Sequence, residues 1–177
     1  MSELTFLDPA CGSGNFLSET YISLRRLENE TLRAIYGGQK QFNIDDDLIK
    51  VGIHQFYGIE INDFAVTIAK TALWIAESQM MRETEEIVEH ELDFLPLKSY
   101  ANIVEENSLR IDWADVVPKE KLSYIMGNPP FVGYSLQSKE QKADILSIYV
   151  DENGKPYKTA GKIDYVSGWY FKATLLM

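Results

Sequence analysis

The sequence predicts an α/β fold: a mostly parallel sheet with helices on both faces. Three observations lead to it. Short apolar runs alternate with segments whose apolar residues recur every three to five positions. A glycine-rich turn joins the first run directly to the first such segment. The carboxyl ends of the runs carry polar residues, Asp8, Glu60, Asn107 and Asn128, and in parallel sheets ligands sit outside that edge.

Leu4-Thr5-Phe6-Leu7-Asp8 gives the first strand, and Gly12-Ser13-Gly14 the turn after it. The helix that follows carries Phe16, Leu17, Tyr21, Leu24, Leu27, Leu32 and Ile35, and Gly37-Gly38 caps it. A polar loop over 39–50 holds Asp45-Asp46-Asp47. Adjacent side chains rarely converge on one ion, so this reads as solvated surface and no metal site is expected. The second strand spans His54 to Glu60, and Asn62 or Asp63 caps the next helix. Its wide apolar stripe is Phe64, Ala65, Ile68, Ala69, Ala72, Leu73, Ile75, Ala76 and Met80, with Trp74 at the margin. Glu83 to Glu91 reads as exposed acidic surface. Ala101 to Leu109 is the third strand and Leu122 to Met126 the fourth. A polar loop then leads to a last helix over Ile163 to Met177.

Composition narrows the classes. The chain has 177 residues, 45% apolar and 25% charged, ordinary usage for one globular domain or part of a larger one. A disordered tail, a collagen-like repeat and a coiled coil are excluded. The apolar runs fall far short of the roughly 20 residues of a membrane span. The first residues lack the basic-then-apolar pattern of a signal peptide. Cys11 is the only cysteine, so there is no disulfide framework, and a reducing cytoplasm is the expected compartment. With 17 basic and 27 acidic residues the net charge is −10. Nucleic-acid binders are usually basic. If this chain acts on nucleic acid, most of the charge that grips the backbone lies elsewhere.

The chemistry sits at the strand ends. In Asp8-Pro9-Ala10-Cys11-Gly12-Ser13-Gly14-Asn15-Phe16, Gly12 and Gly14 let the backbone approach a ligand, and the next helix offers free N–H groups. Leu17 stands where a phosphate cradle has its third glycine, and no Lys follows Gly14. A zwitterionic amino-acid tail suits the turn better, with Asp8 holding an ammonium directly or through water. A plain glycine turn is the competing reading. Glu60 is placed to accept from two ribose hydroxyls, or else to favour a helix N-terminus. Asn107-Ser108 can meet an adenine edge, or simply make a turn. In Asn128-Pro129-Pro130-Phe131 two prolines fix the backbone and leave carbonyls free to accept. Asn128 adds an acceptor and Phe131 a face on which a base can stack. Two acceptors beside a ring fit a planar amine such as adenine N6. A rigid loop with a buried Phe is the alternative. Cys11 has no His near it and reads as a small packing residue. Glu140-Gln141-Lys142 matches a nuclease E-x-K, but no Pro-Asp pair precedes it, so the match is treated as chance.

Taken in order, Asp8 to Phe16, Gly58-Ile59-Glu60-Ile61-Asn62, Asn107-Ser108-Leu109 and Asn128-Pro129-Pro130-Phe131 resemble the catalytic core of S-adenosylmethionine-dependent N6-adenine DNA methyltransferases. The likeness is greatest to the type IIG/IIL restriction–modification and phage-defence group. Val132 to Lys142 and Asp164 to Ala173 also resemble the loop and helix after that group's catalytic motif. The resemblance implies a Rossmann-like class I methyltransferase fold, here incomplete. It implies S-adenosyl-L-methionine, held by Asp8, Ala10, Gly12, Gly14, Phe16, Glu60, Ile61, Asn107 and Ser108, and a catalytic turn of Asn128, Pro129, Pro130 and Phe131. The cofactor half would be about 1–112, and the catalytic loop and following helix about 121–177. The family's helix before the first strand, its later strands and its target recognition domain would belong to a larger polypeptide. Double-stranded DNA, gripped by that recognition domain, is the implied partner, with no membrane and no metal involved.

Two rivals stand beside this reading. The same motif set serves other planar nitrogens: cytosine N4, an RNA base or a protein glutamine. Alternatively the chain folds, and binds cofactor at most, without catalysing transfer.

Overall fold

The computed structural model describes residues 1–36, 48–89, 92 and 101–176. Among the described residues four strands form one sheet: β1 (Phe6–Asp8), β2 (Phe56–Glu60), β3 (Asn102–Glu105) and β4 (Tyr124–Ile125). Their order is β3-β2-β1-β4 and every pairing is parallel. Helices α1 (Asn15–Tyr36) and α2 (Asp63–Val88) are the crossovers β1→β2 and β2→β3. Helices α3 (Lys139–Ile148) and α4 (Ser167–Leu176) follow β4.

Period-two alternation along the strands divides the core. Phe6, Phe56 and Ile103 pack with Leu17 and Tyr21 of α1 and Leu73 and Met80 of α2. Leu7 and Ile59 turn to the other face, against Trp113, Ile145, Tyr165 and Trp169. The expected layering, with helices on both faces, is therefore present. Register places Phe6 opposite both Phe56 and Tyr124. Their rings stack across three strands, at 5.0 Å between Phe6 and Phe56 and 5.3 Å between Phe6 and Tyr124.

Several boundaries differ from the sequence expectation. Residues 53–55 form a 3₁₀ turn, so the second strand starts at Phe56. Gln55 closes that turn by accepting the Gly52 N–H at 2.8 Å, and its amide donates to the Leu4 carbonyl at 2.7 Å. The third strand stops at Glu105, because Asn107 Oδ1 accepts from the Leu109 N–H and folds the chain into a turn. The fourth is only Tyr124–Ile125. Asn62 does cap α2, accepting the Ala65 N–H at 2.9 Å.

The helix stripes are narrower than predicted. Phe64, Ile68 and Ile75 are exposed, as are Phe16, Leu27 and Ile35. The acidic stretch is not all surface. Helix α2 runs on to Val88, and Thr84 and Val88 point inward. Thr84 Oγ1 joins a buried polar link between α1 and α2, accepting from Arg25 at 2.7 Å and donating to Asn29 Oδ1 at 2.8 Å, while Arg25 pairs with Glu28. The polar loop after Phe131 contains α3, which begins with a capping box between Ser138 and Gln141. The last helix starts at Ser167, four residues later than expected. Gly37-Gly38, Asp45 to Asp47, His90 and Met177 lie outside the described residues. Among the described residues no helix is long and apolar enough to cross a membrane, and no three His, Cys, Asp or Glu gather as a metal-binding group.

Candidate functional site

The carboxyl edge of the sheet is bound together by short links between the predicted motifs. Asp8 is 1% exposed and its Oδ1 accepts the Ala10 N–H at 3.0 Å. Burial lifts its carboxyl to about 6, against the Ala10 N–H, which lowers it, and with a further push from the Glu60 charge. Gly12 holds φ at +53° with open space where a Cβ would stand. Its N–H donates to Glu60 Oε2 at 2.9 Å, and the Asn62 N–H donates to Glu60 Oε1 at 2.9 Å. Glu60 is therefore the brace of the glycine turn as well as the acid at the end of β2.

Gly14, with φ at +79°, has a second reason for being glycine. Its Cβ would stand 2.9 Å from the Ala69 Cβ, so its bareness lets α2 pack against the turn. Cys11 is buried and donates its N–H to the Ile59 carbonyl at 3.1 Å. A Cβ on Gly58 would reach its sulfur at 2.8 Å. Burial, then Asp8 and Glu60, pushes its thiol up to about 12. A thiol so hard to ionise is a packing group rather than a nucleophile.

A cavity of about 660 Å³ opens at this edge. Of the predicted residues, Ala10, Glu60, Ile61, Asn107, Ser108 and Pro130 line it. Its size suits a nucleoside-sized ligand. Ser108 is 6% exposed, and its Oγ has no hydrogen-bond partner in the structure. Asp8, Gly12, Gly14, Phe16, Asn128, Pro129 and Phe131 lie outside this lining. Phe16 stands half-exposed at the start of α1, and Phe131 is 73% exposed. Asn128 is exposed too. The buried Phe of the rigid-loop alternative is not what the fold shows. Pro129 and Gly127 instead border a smaller apolar cavity of about 130 Å³ beside Trp169 and Tyr170.

Residues 131–176 supply wall that the sequence reading did not assign. Asp144 of α3, Tyr165 and Trp169 line the large cavity. Trp169 Nε1 donates to the Pro9 carbonyl at 2.9 Å, tying α4 to the first motif. The loop after Phe131 is pinned by the Tyr165 N–H on the Val132 carbonyl at 2.9 Å. Gln137 Nε2 on the Ile163 carbonyl at 2.8 Å and the Tyr134 N–H on Asp164 Oδ1 at 2.9 Å complete the seam. The Ser138-x-x-Gln141 box was the legible signal for α3; the partners of Asp144 are too far apart in sequence to be read from it.

The architecture has known counterparts. The sequence matches the family described as "MmeI, DNA-methyltransferase domain" over residues 1–177. DNA methyltransferase A of Bacillus subtilis is 40% identical over 174 residues, covering 97% of this chain and 19% of that protein. An adenine-specific methyltransferase, PglX, of Streptomyces coelicolor is 35% identical over 75 residues, 42% of this chain and 6% of that protein. The solved structure of the type IIL restriction–modification enzyme MmeI in complex with DNA superposes with a TM-score of 0.89 at 43% identity. That match covers 99% of this chain and 23% of that one. The chain thus spans less than a quarter of the length of these relatives. By the match along its whole length and by its fold, the chain belongs to the MmeI DNA-methyltransferase domain family.

Proposed function

We propose that the protein transfers a methyl group from S-adenosyl-L-methionine to N6 of an adenine flipped out of DNA, as part of a restriction–modification or phage-defence enzyme. One observation carries this reading: the cavity built from Ala10, Glu60, Ile61, Asn107 and Ser108 shares its wall with Pro130 of the Asn-Pro-Pro-Phe turn. A nucleoside site and an amine-accepting turn are then neighbours. The residues present fit such a cofactor. Glu60 keeps lone pairs for ribose hydroxyls, the Ser108 hydroxyl is buried and unpaired at the cavity wall, and Gly12 leaves open space at the turn. S-adenosyl-L-methionine, when bound, supplies an electrophilic methyl. Asp8 offers a carboxylate to an ammonium group, directly or through water.

The turn does the rest. Asn128 and the Pro129 carbonyl accept the two amine hydrogens and draw the nitrogen lone pair out of the ring. Phe131, 73% exposed, offers its face to a flipped base. In this reading about 1–112 is the cofactor half, and the catalytic loop with its following helix spans about 121–177. A recognition domain elsewhere in the polypeptide carries the DNA contacts that a chain of net charge −10 lacks. The name of the Streptomyces relative, which specifies adenine, supports the choice of base. The test is to incubate the full-length polypeptide that contains this chain with duplex DNA and isotopically labelled S-adenosylmethionine, digest the DNA and identify the labelled nucleoside. N6-methyladenine is expected. N4-methylcytosine, or label in protein or RNA alone, overturns the choice of acceptor.

A further inference from the structure

Asp144 is the most heavily used side chain at the edge of the cavity. It projects from α3, is 3% exposed, and accepts from three side chains that belong to other segments. Asn107 Nδ2 donates to its Oδ2 at 3.1 Å, the Tyr165 hydroxyl to the same oxygen at 2.9 Å, and Arg110 Nε to its Oδ1 at 2.6 Å. Asn107, Arg110, Asp144 and Tyr165 all line the same cavity. The Asn107 amide is held at its other end as well, since Oδ1 accepts the Leu109 N–H at 2.9 Å.

These bonds leave Asn107 no freedom to turn over. A carboxylate accepts only, so it demands the amide nitrogen; a backbone N–H donates only, so it demands the amide oxygen. Each end keeps one unused valence, a second N–H and a second lone pair. A free donor and a free acceptor are what an amide needs to read an adenine edge. Without Asp144 the Leu109 N–H alone would hold the amide, and Asn107 could present other patterns to the cavity.

Resting on the cofactor reading above, we propose that Asp144 is a positioning residue for recognition of the cofactor's adenine. It orients Asn107 so that the cavity selects a 6-amino purine over a 6-oxo purine, and through it α3 and Tyr165 are joined to the wall formed by Glu60, Asn107 and Ser108. Asp144→Leu keeps roughly the volume and offers no acceptor to any of the three donors. It should therefore release Asn107, whereas the amide oxygen of Asp144→Asn, with two lone pairs, can still accept from Asn107 and Tyr165.

The test is calorimetric, on the whole protein, with S-adenosylhomocysteine and its 6-oxo analogue S-inosylhomocysteine. Wild type should prefer the adenine compound by about tenfold or more, since a site that pairs a polar edge discriminates strongly against its loss. Asp144→Leu should bring the two affinities within about threefold of each other, while the melting temperature of the ligand-free protein reports its folding separately. Asn107→Ala, at a half-buried position, should do the same, and the double variant should lose no more than either single one. Preference retained in folded Asp144→Leu overturns the inference and leaves the cofactor reading standing. If Asp144→Leu does not fold, preference retained in Asn107→Ala overturns it instead. A wild type that binds neither compound overturns both readings.

Discussion

The carboxylate of Asp8 lies directly against Gly127. A Cβ on Gly127 would stand 2.3 Å from Asp8 Oδ1, and the glycine holds φ at +144°. The acid ending β1 and the residue preceding Asn128 come this close only because position 127 has no side chain. The first motif and the Asn-Pro-Pro-Phe turn are thereby one mechanical unit.

Gly127→Ala should break that unit. It adds a clash with a buried carboxylate to a backbone conformation that an L residue resists, at a cost of about 1–3 kcal/mol in stability. Methylation should fall further than the melting temperature suggests, because Asn128 is displaced. Melting and initial-rate measurements on the same preparation check this. Unchanged values for both would show that the contact relaxes freely.

The Asp8 carboxyl, lifted from 3.8 to about 6 by burial, gives a pH dependence of definite sign. Its folded value lies above its unfolded one, so folding favours the protonated acid. That contribution is full below about pH 3.8 and is lost as pH rises through about 6, by up to about 3 kcal/mol. Asp8→Asn should remove it, so the variant gains stability relative to wild type between about pH 4 and about pH 7. Cofactor affinity should run the other way in wild type, rising through about pH 6 as the carboxylate becomes available to an ammonium. Parallel denaturation and binding curves over this range test both signs.

Glu60 supports structure as well as the proposed ligand. Both its oxygens accept backbone N–H groups, from Gly12 and Asn62. Glu60→Ala should therefore cost roughly 1–3 kcal/mol of stability in addition to roughly 1–3 kcal/mol of cofactor binding. Glu60→Gln, which keeps one acceptor, should recover part of the stability and less of the binding. Equal recovery of both would deny the ribose role.

Ser108→Ala separates ligand from fold. Its Oγ is buried without a partner, so removing it should leave the ligand-free protein as stable as before or slightly more so, within about 1 kcal/mol. Cofactor affinity should fall about fivefold to tenfold. An unaltered affinity would place the hydroxyl outside the site.

Asn128 and Phe131 stand exposed, so their variants should melt as wild type does. Asn128→Ala should reduce methyl transfer by ~10²–10³ with little change in cofactor affinity, because its acceptor matters most as charge develops on the amine. Phe131→Ala should weaken base capture by about 1–3 kcal/mol, while Phe131→Tyr and Phe131→Trp keep a π-face and much of the activity. Near wild-type rates for Asn128→Ala would remove this turn from the chemistry.

Local chemistry was enough to read the layered α/β fold and the motifs at the strand ends from the sequence by itself. Alternating apolar runs and helical stripes are properties of neighbouring residues, as are a glycine turn after Asp8, a cap at Asn62 and two prolines after Asn128. Tertiary structure alone decided why several of those residues are what they are. Gly14 is bare because Ala69 of α2 lies against it, and Gly127 because Asp8 does. Glu60 bends back to hold Gly12, 48 positions away, and Asp144 gathers Asn107, Arg110 and Tyr165 from both sides of itself. The extra length of the predicted stripes has the same origin. Phe64, Ile68 and Ile75 have the right spacing for a core, but only the packing of α1 on α2 determines which turn of a helix meets a partner. A pattern of neighbours fixes which elements form; contacts between residues far apart in the chain exist only once those elements are packed.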